Sequence, residues 1–166
     1  MKPRVYVDTS VISYLTAKTG RDAVAVARQI VTSEWWAQAN QMYELVISDF
    51  VLQEAGSGDP MAAHRRLEVI RELPSIDISL PGVESLTSAL IQQKALPPTA
   101  RFDALHIAAS ACNGVQFLVT WNYKHLANPM QLDFVEQVCA QAGYQAPRIV
   151  TPDQLLSENL GEANVE

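Results

Sequence analysis

No stretch of this 166-residue chain approaches the roughly 18 consecutive apolar residues of a membrane-spanning helix. The opening MKPRVYVDTS holds an apolar run too short for a secretory signal, and Asp8 interrupts it. A cytoplasmic protein with no membrane attachment is therefore expected. Cysteine is scarce: Cys112 and Cys139 lie in apolar, helix-like segments with no zinc-ligand spacing nearby, which reads as buried free thiols in a reducing compartment. Basic charge is in deficit, with 12 Lys and Arg against 18 Asp and Glu and a net charge of −6. The average field does not attract nucleic acid, which argues against a general DNA coat protein. It leaves open an enzyme that grips nucleic acid locally through a metal and a few basic side chains. Internal repeats, low-complexity stretches and linkers are absent too. With 48% hydrophobic and 18% charged residues, one domain over 1–158 with a frayed tail over 159–166 is the economical reading.

What is present alternates strand and helix. RVYVD (4–8), ELVIS (44–48), SIDIS (75–79), VQFLVTW (115–121) and RIV (148–150) read as five strands. Helical periodicity fills 21–42 with Asp22 near its start, 48–55 with Ser48 as N-cap, 61–73, 82–95 and 130–142. Thr99 suits the cap of a further helix, ARFDALHIAASACN, that Gly114 ends, and Thr151 with Pro152 opens a last one. Such alternation predicts an α/β fold, a three-layer α/β/α sandwich around a mostly parallel five-stranded sheet. In such folds ligands gather beyond the carboxyl ends of the strands.

Four polar side chains fall toward that edge. Asp8 closes the first strand, Asn122 follows the fourth, Glu54 sits on the helix after the second, and Asp103 lies in the first turns of the helix that feeds the fourth. Singly, each also suits an ordinary role: turn cap for Asp8, exposed helix residue for Glu54, helix-dipole partner for Asp103, turn residue for Asn122. Jointly they concentrate like charge, which is costly unless a divalent cation relieves it. Hard oxygen ligands completed by water suit Mg²⁺ or Mn²⁺, an ion able to acidify a water and offset charge on an attacked phosphate.

VYVDTSVISYL, ISDFVLQEA, RFDALHIAASA and GVQFLVTWNYKHLAN, in this order and followed by PRIVTPDQLL, resemble a PIN domain, and more narrowly a VapC-type toxin ribonuclease. The likeness runs over nearly the whole chain. It implies a five-stranded parallel sheet between helices, Mg²⁺-dependent hydrolysis of RNA phosphodiester bonds, a cognate antitoxin and homodimerisation. By position Asp8, Glu54 and Asp103 match the family's acidic residues, and Asn122 stands where many members carry a fourth Asp. An Asn still offers an amide oxygen to a cation but brings no charge. Three carboxylates therefore predict one ion held by the protein, chiefly through Asp8 and Asp103, with Glu54 orienting or deprotonating the attacking water. Thr9, Ser10 and Thr120 are candidate donors to those carboxylates, with turn and cap roles as the alternative. Arg101, Lys124 and His125 flank the expected cleft and suit RNA phosphates or plain solvation. His106 lies three residues beyond Asp103 on one helical face, where packing in a hydrogen-bonded site is favoured over touching the chemistry. Of Trp35 and Trp36, one is expected in the core and the other at a partner surface, or both buried.

Two rivals stand beside this reading. An aspartyl-phosphate enzyme also places its nucleophile after the first strand, but commonly wants a second Asp where this chain has Ser10. A PIN-like domain weakened at Asn122 would bind RNA or a partner protein without cleaving.

Overall fold

The computed structural model describes residues 1–156, so the expected tail lies outside the described residues. In chain order the elements are β1 (Arg4–Val7), α1 (Thr9–Thr16), α2 (Ala23–Met42), β2 (Glu44–Val46), α3 (Asp49–Ala55), α4 (Pro60–Ile70), α5 (Pro81–Gln92), α6 (Arg101–Cys112), β3 (Phe117–Val119), α7 (Pro129–Gln141) and β4 (Arg148–Val150). All strand pairings are parallel, in the order β2-β1-β3-β4. The order steps outward from β1 in opposite directions. Right-handed crossovers then require helices on both faces. Helix contacts agree: α1 touches α2, α3 and α4, while α5 touches α6 and α7.

Among the described residues the sheet has four strands, not five. Residues 75–79 contribute one parallel bridge, Ile47 to Ser75, at the outer edge of β2. Pro74 has no N–H for a ladder. Beyond the bridge the backbone finds other partners: the Asn113 side chain accepts from Asp77 N and donates to Asp77 O, and Asp77 Oδ1 accepts from Ser79 N at 2.8 Å. A strand-like composition is thus overridden by local side-chain bonds.

Central strands carry the core. Val5, Tyr6 and Val7 of β1 and Leu118 and Val119 of β3 are wholly buried, as the middle of a sheet covered on both faces requires. Each such side chain contributes about 1.5–3 kcal/mol by leaving water. From Ala104 to Ala111, α6 is buried all round, and its small residues let it lie close against α5. That burial gives Asp103 and His106 a rigid mount. Gly114, at φ +65°, closes the helix as expected.

Capping expectations divide. Asp22 caps α2 through Ala25 N at 3.0 Å, and at Thr151 the Gln154 side chain accepts the Thr151 N–H at 3.0 Å. Ser48 occupies the N-cap position of α3 but makes no side-chain cap bond, because its hydroxyl is committed to Tyr6. Thr99 lies inside a 3₁₀ turn, Pro98–Ala100, and Ala100 takes the cap position of α6 without a side-chain bond. Trp35 is fully buried and Trp36 packs against it half-buried, ring centroids 6.1 Å apart. The cysteines are free thiols, Cys139 buried and Cys112 half-buried, and burial pushes Cys139 up to about 11. Among the described residues no helix is long and apolar enough to cross a membrane.

Candidate metal centre and active site

Strand order reverses between β1 and β3, so the connections leave their carboxyl ends toward opposite faces, the place where an open α/β sheet sets its ligand crevice. Register decides what lines it. Val7 is level with Val119, so the next residues, Asp8 and Thr120, emerge side by side, and Tyr6 pairs with Val46, which sets Ser48 level with Asp8. Tyr6 and Asp8, two apart on one strand, share its face.

Asp8 fills the cap role read from the sequence: at the start of α1 its Oδ2 accepts from Ser10 N at 3.3 Å, and the residue is buried at the end of β1. The same oxygen accepts from Ser10 Oγ at 2.6 Å and Thr120 Oγ1 at 2.8 Å. Thr9 Oγ1 donates to Glu54 Oε1 at 3.1 Å. All three expected hydroxyls thus touch the carboxylates.

His106 is packed and hydrogen-bonded, the reading the sequence favours, and its ring also reaches the acids. Fully buried, its Nε2 lies 2.5 Å from Glu54 Oε1 and 3.7 Å from Asp8 Oδ1, while Nδ1 meets the Tyr6 hydroxyl at 2.6 Å. Tyr6 continues to Ser48 at 2.6 Å. A hydrogen-bonded chain Ser48–Tyr6–His106–Glu54–Thr9, buried from Ser48 to His106 and half-buried at Glu54 and Thr9, runs beside Asp8. Burial works to lower the His106 imidazole, but the Glu54 hydrogen bond and the charges of Asp8, Glu54 and Asp103 outweigh it and raise it. Burial, with Asp8 and Glu54 nearby, raises the Tyr6 phenol well above its ordinary value. Ligand atoms of Asp8, Glu54 and His106 lie within 4.8 Å of one another.

Asp103 stands outside that group of three. Its carboxyl is raised by burial and by Asp8, and His106 and His125 oppose the rise. Its Oδ1 accepts from Asn122 Nδ2 at 3.2 Å, and Asn122 Oδ1 accepts from His125 N at 3.1 Å. Flipping the amide would set its NH₂ against the His125 N–H, so the geometry selects this orientation. Asn122 therefore turns nitrogen toward Asp103, not the oxygen a cation needs. Arg101 is paired with Glu84 at 2.5 Å, both largely exposed, a bond worth little in water. Lys124 is exposed and His125 half-buried beside Asp103.

One test of fit for a cation is which oxygens the protein has already used. Asp8 Oδ2, Glu54 Oε1 and Asp103 Oδ1 accept hydrogen bonds. The second oxygen of each carboxylate, Oδ1, Oε2 and Oδ2, accepts none among the described residues. Hard oxygens on Asp8 and Glu54, whose ligand atoms lie with that of His106 within 4.8 Å of one another, suit Mg²⁺ or Mn²⁺, and Asp103 is near enough to feel the charge of both carboxylates.

No family model and no curated protein sequence matches the chain. Solved structures do. VapBC2 of Rickettsia felis, crystallised bound to a DNA fragment from its promoter, aligns at TM-score 0.53 and 18% identity over 73% of this chain and 89% of that one. VapC20 of Mycobacterium tuberculosis, a toxin that cleaves the sarcin–ricin loop, aligns at TM-score 0.55 and 17% identity over 73% and 92%. The fold, an α/β fold around a parallel sheet, is like that of the PIN domains of these VapC toxins. Within it, the β1 and β3 ends stand at the strand-order reversal just described.

Proposed function

We propose that this chain is a divalent-metal-dependent endoribonuclease, using Mg²⁺ or Mn²⁺, and the toxin of a toxin–antitoxin pair. The observation that carries the reading is the cluster of Asp8, Glu54 and His106 at the strand-order reversal, ligand atoms within 4.8 Å of one another, with Asp103 near enough to feel the charges of Asp8 and Glu54. The likeness of fold to VapC20, which cleaves the sarcin–ricin loop, supports the reaction class. The likeness to VapBC2 supports an antitoxin partner, and a homodimer belongs to the same proposal.

Asp8 and Asp103 would hold a single ion, with Glu54 beside them. When bound, the ion supplies positive charge to a phosphate under attack and acidifies water. Glu54 orients the attacking water and accepts its proton. Ser10 and Thr120 keep Asp8 in one rotamer, and Thr9 and His106 do the same for Glu54. Water attacks phosphorus in line, and the products are a 5′-phosphate and a 3′-hydroxyl. Because Asn122 donates to Asp103, a second reading has its own support: a weakened PIN-like domain that binds RNA or protein without cleaving.

One experiment separates the readings. Purified wild type and Asp8→Ala are incubated with structured RNA, with Mg²⁺ and with EDTA. Cleavage that needs both Mg²⁺ and Asp8 is expected. Equal RNA loss in wild type and variant refutes the nuclease, and RNA binding without cleavage favours the weakened domain. Trapping a phosphate on Asp8 would favour the aspartyl-phosphate alternative.

A further inference from the structure

The turn after β3 carries a second cluster beside the acids. Trp121 N donates at 2.9 Å to Ser10 Oγ, the same hydroxyl that donates to Asp8, so this turn is tied to the carboxylate. The Trp121 ring is nearly buried and held through Nε1–H to Thr32 Oγ1 at 2.8 Å. Against it lies the Arg28 guanidinium, 5.5 Å from the Trp121 ring, 5.7 Å from Tyr14 and 5.2 Å from Tyr123. Arg28 Nη1 also donates to the Tyr14 hydroxyl at 3.1 Å. No carboxylate pairs with Arg28 among the described residues.

Tyr123 is the exposed member, 47% accessible although its ring touches both Arg28 and Trp121. Burying such a ring would favour folding, so its exposure is unexplained by the core. A cation-binding cage is excluded, since Arg28 already sits among the rings. What remains for a ligand is a rigid aromatic face with a cation against it.

We propose that Tyr123, backed by Arg28 and Trp121, is a stacking platform for one unpaired nucleobase of the RNA beside the cleaved phosphate. The identity of the ligand rests on the ribonuclease reading. Stacking does not depend on net charge, which suits a chain of net charge −6 whose Arg101 is already paired with Glu84. Remaining Arg28 N–H groups serve a neighbouring phosphate oxygen. Every base offers a π-face, so the subsite selects unpaired over paired nucleotides more than one base over another.

The test is a fluorescence titration of a ten-nucleotide unstructured RNA carrying 2-aminopurine, with Ca²⁺ in place of Mg²⁺ so that binding is read apart from turnover. Wild type is expected to quench the probe. Tyr123→Ala is expected to bind about tenfold more weakly with the quenching lost, whereas Tyr123→Phe and Tyr123→Trp stay within about twofold. A duplex of the same sequence should bind wild type and Tyr123→Ala alike. Equal affinity of Tyr123→Ala and wild type for the single strand overturns the platform, as does a Tyr123→Phe loss as large as that of Tyr123→Ala. Absence of measurable wild-type binding overturns it too. Thermal melts of each variant check folding. If Mg²⁺-dependent cleavage is absent while stacking persists, the ribonuclease reading falls and the platform stands.

Discussion

Replacing Tyr6 with Phe removes a single oxygen from the hydrogen-bonded chain beside Asp8. That oxygen makes two bonds, to Ser48 Oγ and His106 Nδ1, each at 2.6 Å, in a side chain with no exposed surface. Each bond contributes about 0.5–1.5 kcal/mol net, and a buried polar atom left without a partner costs about 1–3 kcal/mol. Ser48 can turn its hydroxyl elsewhere; His106 Nδ1, fixed in a helix buried all round, cannot. A loss of about 2–3 kcal/mol is expected, which in a chain of this size lowers Tm by roughly 4–12 °C. Urea unfolding of Tyr6→Phe, Ser48→Ala and the double variant measures it. The double variant should cost less than the sum of the singles, because both remove the same bond. A Tyr6→Phe variant within about 0.5 kcal/mol of wild type, or strict additivity, refutes the relay.

Asp103 binds its proton more tightly in the folded chain, because its carboxyl is raised above the ordinary 3.8. Its contribution is therefore present below the unfolded value and is lost as pH rises through the raised one. In metal-free buffer at pH 7, Asp103→Asn should raise Tm by about 2–4 °C, with the gap closing toward pH 4; a variant less stable at pH 7 contradicts this. Asn122→Asp should tighten Mg²⁺ binding in isothermal titration while lowering metal-free stability, and unchanged affinity means that the side chain lies outside the coordination sphere. Wild type should show one tight Mg²⁺ site without RNA, and two tight sites sink the single-ion proposal. Thr120→Val removes one of the bonds to Asp8 Oδ2, which keeps those from Ser10, and leaves the Asn122 N–H without its partner, at a cost of about 1–3 kcal/mol by urea unfolding.

The parallel architecture was legible because buried β-rich runs alternate with helical periodicity, and Asp8 was legible because it breaks the first of those runs. The third expected strand misleads: SIDIS has strand composition, but Asp77 bonds Ser79 locally and meets Asn113 from the end of α6, a pairing across 36 positions. Residue type alone makes caps of Ser48 and Thr99. Tertiary packing decided otherwise, giving the Ser48 hydroxyl to Tyr6. The signal for that relay was present in the strands. Once β1 is paired in register with β2, Tyr6, Asp8 and Ser48 fall on one face, and His106 follows Asp103 by three. Register is a property of the assembled sheet, so spacing along the chain did not reveal it. The direction of the Asn122 amide was likewise illegible, since it depends on the His125 backbone.

Both margins of the sheet are short, β2 and β4 having three residues each. A foreign segment laid along either would gain only about two or three main-chain bonds, a poor template for β-augmentation. Filament growth by edge-to-edge pairing is discouraged for the same reason. Association of this chain, with itself or another protein, would therefore rest on side chains of helices and loops and not on the sheet margins, and variants that weaken it belong there.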